Sequence, residues 1–496
     1  MKKIYVFLMM AAALVACTRE EQTPADEEQA AQIYTLSVEA IKGEDAGDEK
    51  DTKALTLTGK TLNASWAVGE AVSVYNKTTD ELLGGLLTAQ EAGASTTLKG
   101  SLTSTKGIHD GDELTLKFLS PDYASQNGTL EYIAANCDYA EATVTVASLT
   151  NGNITISESH ADFQNQQAIV KFTLKNKAGS AILNTNSLRI SDGTNTYTIN
   201  RSASADPFYV AIPGFSGQTI TMLASYGTGI YDYIKSNVSF TNGQYYEITV
   251  KMDRVLAMTD ATPYTGSVGK VIATDGKMYT HVRTAELAGS TASGIVAYVG
   301  SAGSVESDTN YKGLAIAMKD AFLTWGTYPN HMEYCTSNNH QCSTATSYCS
   351  TVSSALDAIN GIAATQSAQA NNGEGHWHNA VWSSTGVATP SGASTWAIPS
   401  IGQWNLMAQG LTGNSSNLSE TDNPDYHYNN LSTKINVAGG THLEWLFYWS
   451  STETDASNAW CFNIGGLDYG RNGSRASSFA KNYNDQYMHV RMFFAF

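Results

Sequence analysis

Apolar and polar residues alternate along the first half of the chain. Ile33-Tyr34-Thr35-Leu36-Ser37-Val38 repeats at period two, as do Ala71-Val72-Ser73-Val74-Tyr75 and Leu114-Thr115-Leu116-Lys117-Phe118. That period is the mark of half-buried strands. Gly111-Asp112 and Asn242-Gly243 are turn dipeptides between such runs. Ala168 to Leu174 and Tyr245 to Met252 continue the text of strands, and no long 3.6-period segment interrupts it. Short strands at regular spacing predict β-sandwiches. About 220 residues suit two of them in tandem. Their junction is placed near Ser157–Asp162, before the next apolar run.

The pattern changes in the last third. Leu314, Met318 and Phe322 share one helical face, and Val352, Leu356, Ile359 and Ala363 share another. Pro399-Ser400-Ile401-Gly402-Gln403 announces a third helix, with Ser400 as N-cap and Gln403 as its capping-box partner. Trp404, Met407 and Leu411 form its apolar side. After Leu443 strands return, at Tyr448–Thr452, Ala459–Ile464 and His489–Phe496. Helices followed by strands predict an α+β domain. Residue usage shifts at the same place. Of nine Trp, eight follow residue 320, and eight of ten His lie from His281 onward. The boundary falls near Met252–Pro263.

The beginning of the chain has its own logic. Met1-Lys2-Lys3 precedes an apolar run that ends in Leu14-Val15-Ala16-Cys17. A basic start, a short apolar stretch and small residues make a removable export signal. A cysteine at the cleavage point makes it the signal of a bacterial lipoprotein. The run is too short to span a bilayer, which needs about 20 apolar residues. The expected order is therefore a signal peptide (1–16), a polar tether (17–32) starting at lipidated Cys17, a first sandwich (33–158), a second (159–252), a linker (253–261) and a C-terminal domain (262–496). Lipid would hold the protein on the outer membrane, exposed at the cell surface. A net charge of −17 argues against nucleic acid as a partner.

Catalytic motifs are missing from the sequence. It has no Gly-x-Ser-x-Gly, no His-Glu-x-x-His and no phosphate loop. A non-enzymatic role without cofactor or metal is expected. Cys335, Cys342 and Cys349 recur every seven residues. The residues between them are poor helix formers, so they are read as a loop stapled by a disulfide. Free thiols, or a metal site that adds His331 or His340, are the alternatives. His376-Trp377-His378 and Trp382 lie in a polar, glycine-bearing loop. They are candidates for stacking on a sugar and bonding its hydroxyls, weighed against a plain core role. Asn423-Pro424 is read as a turn, with no calcium assigned.

Two resemblances extend this reading. The block Ala64-Ser65-Trp66-Ala67-Val68-Gly69-Glu70-Ala71-Val72-Ser73-Val74-Tyr75 follows the lipobox and Thr52-Lys53-Ala54. Phe163 to Ala168 and Asn242 to Val250 come later. In this order they resemble the fimbrillin family, lipoproteins that build type V pili. The resemblance covers residues 33–252. It implies two transthyretin-like sandwiches and assembly with other pilin subunits by donor-strand exchange, after proteolysis frees an N-terminal strand. Relatives are cut after Arg. Here Arg19 is the only Arg before Arg189, so Lys53 is the nearest processing candidate. The second set is Trp396 to Trp404, Tyr448-Trp449-Ser450-Ser451-Thr452-Glu453, Ala459-Trp460 and Val490 to Phe496. It looks like the C-type-lectin-like domains that overlap the formylglycine-generating-enzyme-like superfamily. The paired reactive cysteines of that enzyme have no match at Cys461. The two together imply a tip subunit with an adhesive head for glycans or proteins. The rival is a surface lipoprotein that never polymerises, either glycan-binding or an enzyme.

Overall fold

The computed structural model describes residues 31–42, 55–58, 61–119, 121–259, 265–307, 309–320, 348–371, 386–455, 458–465, 473–480 and 488–496. They form a mainly β protein in two compact units.

The alternating runs of the first half are strands. In chain order they are β1 (Gln32–Lys42), the hairpin β2 (Leu55–Thr58) and β3 (Thr61–Ala64), β4 (Ala71–Asn76), β5 (Glu81–Leu82), β6 (Leu87–Ala89), β7 (Ser95–Ser104) and β8 (Glu113–Phe118). Then come β9 (Ser125–Gln126), helix α1 (Leu130–Asn136), β10 (Ala140–Thr150), β11 (Asn153–Ile156) and β12 (Ala161–Asn165). The first unit holds β1 with Ser65–Leu119 and Ala140–Gln164. Its sheet runs β11-β1-β12-β10-β8-β4-β6-β7, with β5 off β4, and β7 pairs back to β1. The ladder thus closes on itself. Leu36, Val72, Val74, Leu98, Leu114, Leu116 and Val144 fill the inside. Trp66 packs edge-on against Phe118 and Phe163, at centroid distances of 5.4 and 5.1 Å.

The second unit takes Ala54–Ala64 with the β2–β3 hairpin, the segment Ser120–Tyr139 around α1, and everything from Asn165 on. Its first part comprises β13 (Ala168–Asn176), β14 (Thr185–Ser191), β15 (Thr196–Ala205), β16 (Phe208–Ile212), β17 (Phe215–Tyr226), β18 (Gly229–Phe240) and β19 (Tyr245–Arg254). The sheet order is β16-β13-β19-β18-β17-β14-β15-β9. Two expected boundaries move. The first ladder continues past residue 158, because Ala161, Asp162 and Phe163 pair with β1. Conversely, residues 121–139 leave the first sandwich. Their β9 pairs with β15, and Ile133 of α1 and its C-cap residue Cys137 pack on Ile169, Ala211 and Tyr245. The excursion joins its sheet through partners far away in sequence, Thr198 and Ile199 of β15 and Ile169 of β13, so the local pattern hides it.

The remainder is mixed α and β. It contains β20 (Leu256–Ala257), β21 (Val271–Ala273), β22 (Lys277–Tyr279), α2 (Val282–Leu287), β23 (Ala292–Val299), β24 (Gly313–Ala317), α3 (Val352–Leu356), α4 (Gly361–Asn371), α5 (Ile401–Thr412) and α6 (Tyr428–Ala438). The chain closes with β25 (Phe447–Glu453), β26 (Asn458–Asn463), β27 (Arg475–Ala480), β28 (Met488–His489) and β29 (Phe493–Ala495). One sheet runs β20-β22-β21-β23-β24-β29 and another runs β27-β26-β25-β28.

Several expectations need correction here. The expected linker 253–261 begins inside β19 and includes β20, which pairs with β22. Val255 between them is buried against Ala273, Tyr279 and Ala285. Leu314 does not start a helix, because Gly313–Ala317 is a fully buried strand. A short apolar run fits either state, and burial on both faces decides for strand. The second expected helix is two, α3 and α4. The expected strand His489–Phe496 breaks at Arg491 and Met492, so β28 joins one sheet and β29 the other. Helices α1, α2 and α6 are absent from the expected elements, although Tyr428, Leu431, Ile435 and Ala438 of α6 repeat at helical spacing.

The third expected helix forms as read. Ser400 Oγ accepts from Gln403 N at 3.2 Å, and Gln403 Oε1 accepts from Ser400 N at 3.0 Å. Trp404, Met407 and Leu411 are buried. Trp404 lies against Tyr448 and Phe462, at 5.6 and 5.2 Å. Gly410 lets α5 reach β23, because a Cβ there would sit 2.0 Å from Ala297 O. Ser400→Ala should lower stability by about 1 kcal/mol, read as a shift in the urea midpoint.

Candidate functional site

Strand β1 is the strongest candidate. Every second residue points inward: Tyr34, Leu36, Val38, Ala40 and Lys42 are buried. On one side β1 pairs antiparallel with β7 at ten positions, from Gln32↔Ser104 to Ile41↔Ser95. On the other side the pairing is parallel and split. Thr35 and Leu36 face β11, while Ala40, Ile41 and Lys42 face β12. β1 is therefore the piece that closes the ring. Without it, β7 and β12 would show unpaired edges along an apolar trough, the arrangement that recruits another strand. The expected acceptor edge is thus not open, because β1 fills it.

Both ends of β1 are pinned. The Tyr34 hydroxyl accepts from Ile108 N at 3.1 Å. Lys42 is wholly buried, with its ammonium 3.4 Å from the Phe118 ring centroid and 5.0 Å from that of Trp66. A desolvated cation on aromatic faces holds about 2 kcal/mol or more. Sequence reading missed this role of Lys42. Its one trace is a basic residue at the inward parity of an alternating strand.

The last strand offers no comparable edge. β29 pairs with β24, and on its other side Ala397 bridges Phe493. Ser394 N donates to Ala495 O at 2.8 Å, and Ala495 N to Ser394 Oγ at 2.9 Å. Phe493, Phe494 and Ala495 are fully buried.

Two buried carboxylates organise the C-terminal part. Asp320 accepts from Arg491 Nη1 at 2.7 Å and from the Tyr448 hydroxyl at 3.0 Å, and His489 Nδ1 lies 2.9 Å away. Burial works to raise its pKa, but the His489 bond and the Arg491 charge outweigh this and hold it below the carboxylate range. Glu306 accepts from Ile362 N at 3.3 Å, Ala363 N at 3.4 Å and Gln403 Nε2 at 2.5 Å. Burial dominates there and pushes it up to about 7. Among the described residues neither group lies in a constellation with a nucleophile, so both are read as structural.

Most site residues expected from sequence lie outside the described residues: Cys17, Lys53, Cys335, Cys342, His376, Trp377, His378 and Trp382. Cys349 is described. Among the described residues its thiol pairs with no other cysteine; it is half-buried, and burial raises its pKa. Its backbone is held by Glu453 O at 3.0 Å and by the Trp460 indole at 2.7 Å. Asn423 caps a single 3-10 turn at Pro424–Tyr426, in keeping with its expected turn role. No group of three metal-ligating side chains occurs among the described residues, and no described helix is long and apolar enough to cross a membrane.

No family model and no curated protein matches the chain. Among solved structures it is similar to a fimbrial protein from Bacteroides ovatus, at 14% identity and a TM-score of 0.29, over 93% of this chain and 99% of that one. It is also similar to the tip fimbrial protein Mfa3 from Porphyromonas gingivalis with C-terminal truncation, at 10% identity and a TM-score of 0.24, over 44% and 95%. A fimbrial assembly protein from Parabacteroides distasonis shows 11% identity and a TM-score of 0.23, over 46% and 96%. Scores of this size carry no functional argument.

Proposed function

We propose that the chain is a surface lipoprotein subunit of the fimbrial type, non-enzymatic and anchored through Cys17. Its two N-terminal sheets, transthyretin-like sandwiches by resemblance, are the assembly module. The C-type-lectin-like domain is the adhesive head. One observation carries this reading: β1 alone closes the ring of the first unit. Cleavage near Lys53 would free it, and a strand from another subunit would take its place. The bonding of β29 on both sides favours a tip position, because the last strand is not available to donate.

The test is assembly in vitro. The full chain is treated with a Lys-specific protease and mixed with a synthetic peptide of Gln32–Lys42. The treated chain should bind the peptide, and the untreated chain, with β1 in place, should not. A treated chain that has lost β1 and still refuses the peptide would overturn strand addition. Immunogold label should appear at filament ends, and regular label along filaments would overturn the tip position. Cys17→Ala should move the protein from membrane to soluble fractions, and unchanged labelling by a fatty acid would refute the anchor.

A further inference from the structure

The second unit holds a cleft of about 290 Å³ between helix α2 and the face of β14 and β17. Arg189 enters it from β14 and Arg283 from α2. Arg189 is half-buried and Arg283 exposed. Neither guanidinium makes a hydrogen bond or ion pair among the described residues. In a chain with 46 acidic and 29 basic residues, two unpaired guanidiniums on one cleft run against composition. The turn between β14 and β15 lies against one of them, since a Cβ on Gly193 would come 3.5 Å from Arg283 Nη1.

The rest of the lining is amphipathic. Thr221 lines the cleft and is only 3% exposed as a residue. Glu286 adds an acceptor and Leu287 a buried apolar surface. Guanidinium forks match carboxylates and sulfates, while a hydroxyl and a carboxylate match sugar hydroxyls. The volume sits near the lower end of small-ligand pockets, about 300 Å³, which suits a single sugar ring.

We propose that this cleft binds an anionic saccharide unit, its carboxylate or sulfate ester held by Arg189 and Arg283. Thr221 and Glu286 take ring hydroxyls, and Leu287 packs the apolar face. The site is built from residues of the second unit and β1 belongs to the first, so binding and assembly are tested by separate variants and fail independently of each other.

The experiment is ligand titration by NMR on the full chain. The probes are D-glucuronate and N-acetylglucosamine 6-sulfate, with D-glucose, N-acetylglucosamine and inorganic sulfate as controls. One or both anionic sugars should bind, which distinguishes carboxylate from sulfate, and the neutral sugars should not. Arg283→Gln, at an exposed position, should weaken binding about tenfold or more. Arg189→Gln should do the same with the urea midpoint as a folding control. Binding of neither anionic sugar would overturn the proposal. So would equal binding of the neutral sugars, equal binding of inorganic sulfate, or binding unchanged in Arg283→Gln.

Discussion

Asp320→Ala should destabilise the chain by about 3–5 kcal/mol, the loss expected when one partner of a buried pair is removed. Arg491 is wholly buried, and its Nε and Nη2 donate to Ala317 O at 2.8 Å and Thr441 O at 2.7 Å. The variant leaves its charge without a counterion and Tyr448 without its acceptor. Urea unfolding at neutral pH reads the effect. Replacing both partners, with Asp320→Leu and Arg491→Met, should cost less than Asp320→Ala alone, because no charge is then stranded. A loss below about 1 kcal/mol would mean the pair contributes no more than a surface bridge. The pH dependence follows from the lowered pKa. The contribution of Asp320 is present above the ordinary Asp value and is lost as pH falls through the depressed one.

Glu306 should act with the opposite sign. Its carboxyl is raised from 4.5 to about 7, so the folded chain binds its proton more tightly than the unfolded chain. Stability from this group is complete below pH 4.5 and falls until pH passes about 7. The shift corresponds to about 3 kcal/mol across that window. Urea midpoints measured between pH 5 and 8 should fall for the natural chain, and Glu306→Gln should remove most of the slope. An unchanged slope in that variant would assign the dependence elsewhere. Asp320 acts below pH 4, so the two windows do not overlap.

What could be read in the sequence was local. Ser400 and Gln403 lie three residues apart, and their reciprocal cap needs nothing beyond one turn of chain. The period of β1 gave its inward face by the same logic. Long-range choices were not legible. Asp320 and Arg491 are 171 positions apart, and Glu306 and Gln403 are 97 apart. Neither partner carries a mark of the other. Gly313–Ala317 is not legible as a strand, because its fate depends on neighbours on both faces and not on its own period. The departure of residues 121–139 to the second unit is a matter of which sheet offers an edge. The two arginines of the cleft come from different elements, and charge count alone argues against their meeting.

The uneven seams of β1 give the first unit a direction-dependent strength. A pull along the strand axis loads its ten antiparallel pairs together, so they must yield at once. A pull across the strand from Lys42 would load them singly, after the buried ammonium has left its rings. On the parallel side only the contacts to β11 and β12 resist. Under shear the unit should hold through large forces, while peeling from the Lys42 end should open it at small ones, a contrast that force spectroscopy with exchanged attachment points measures directly.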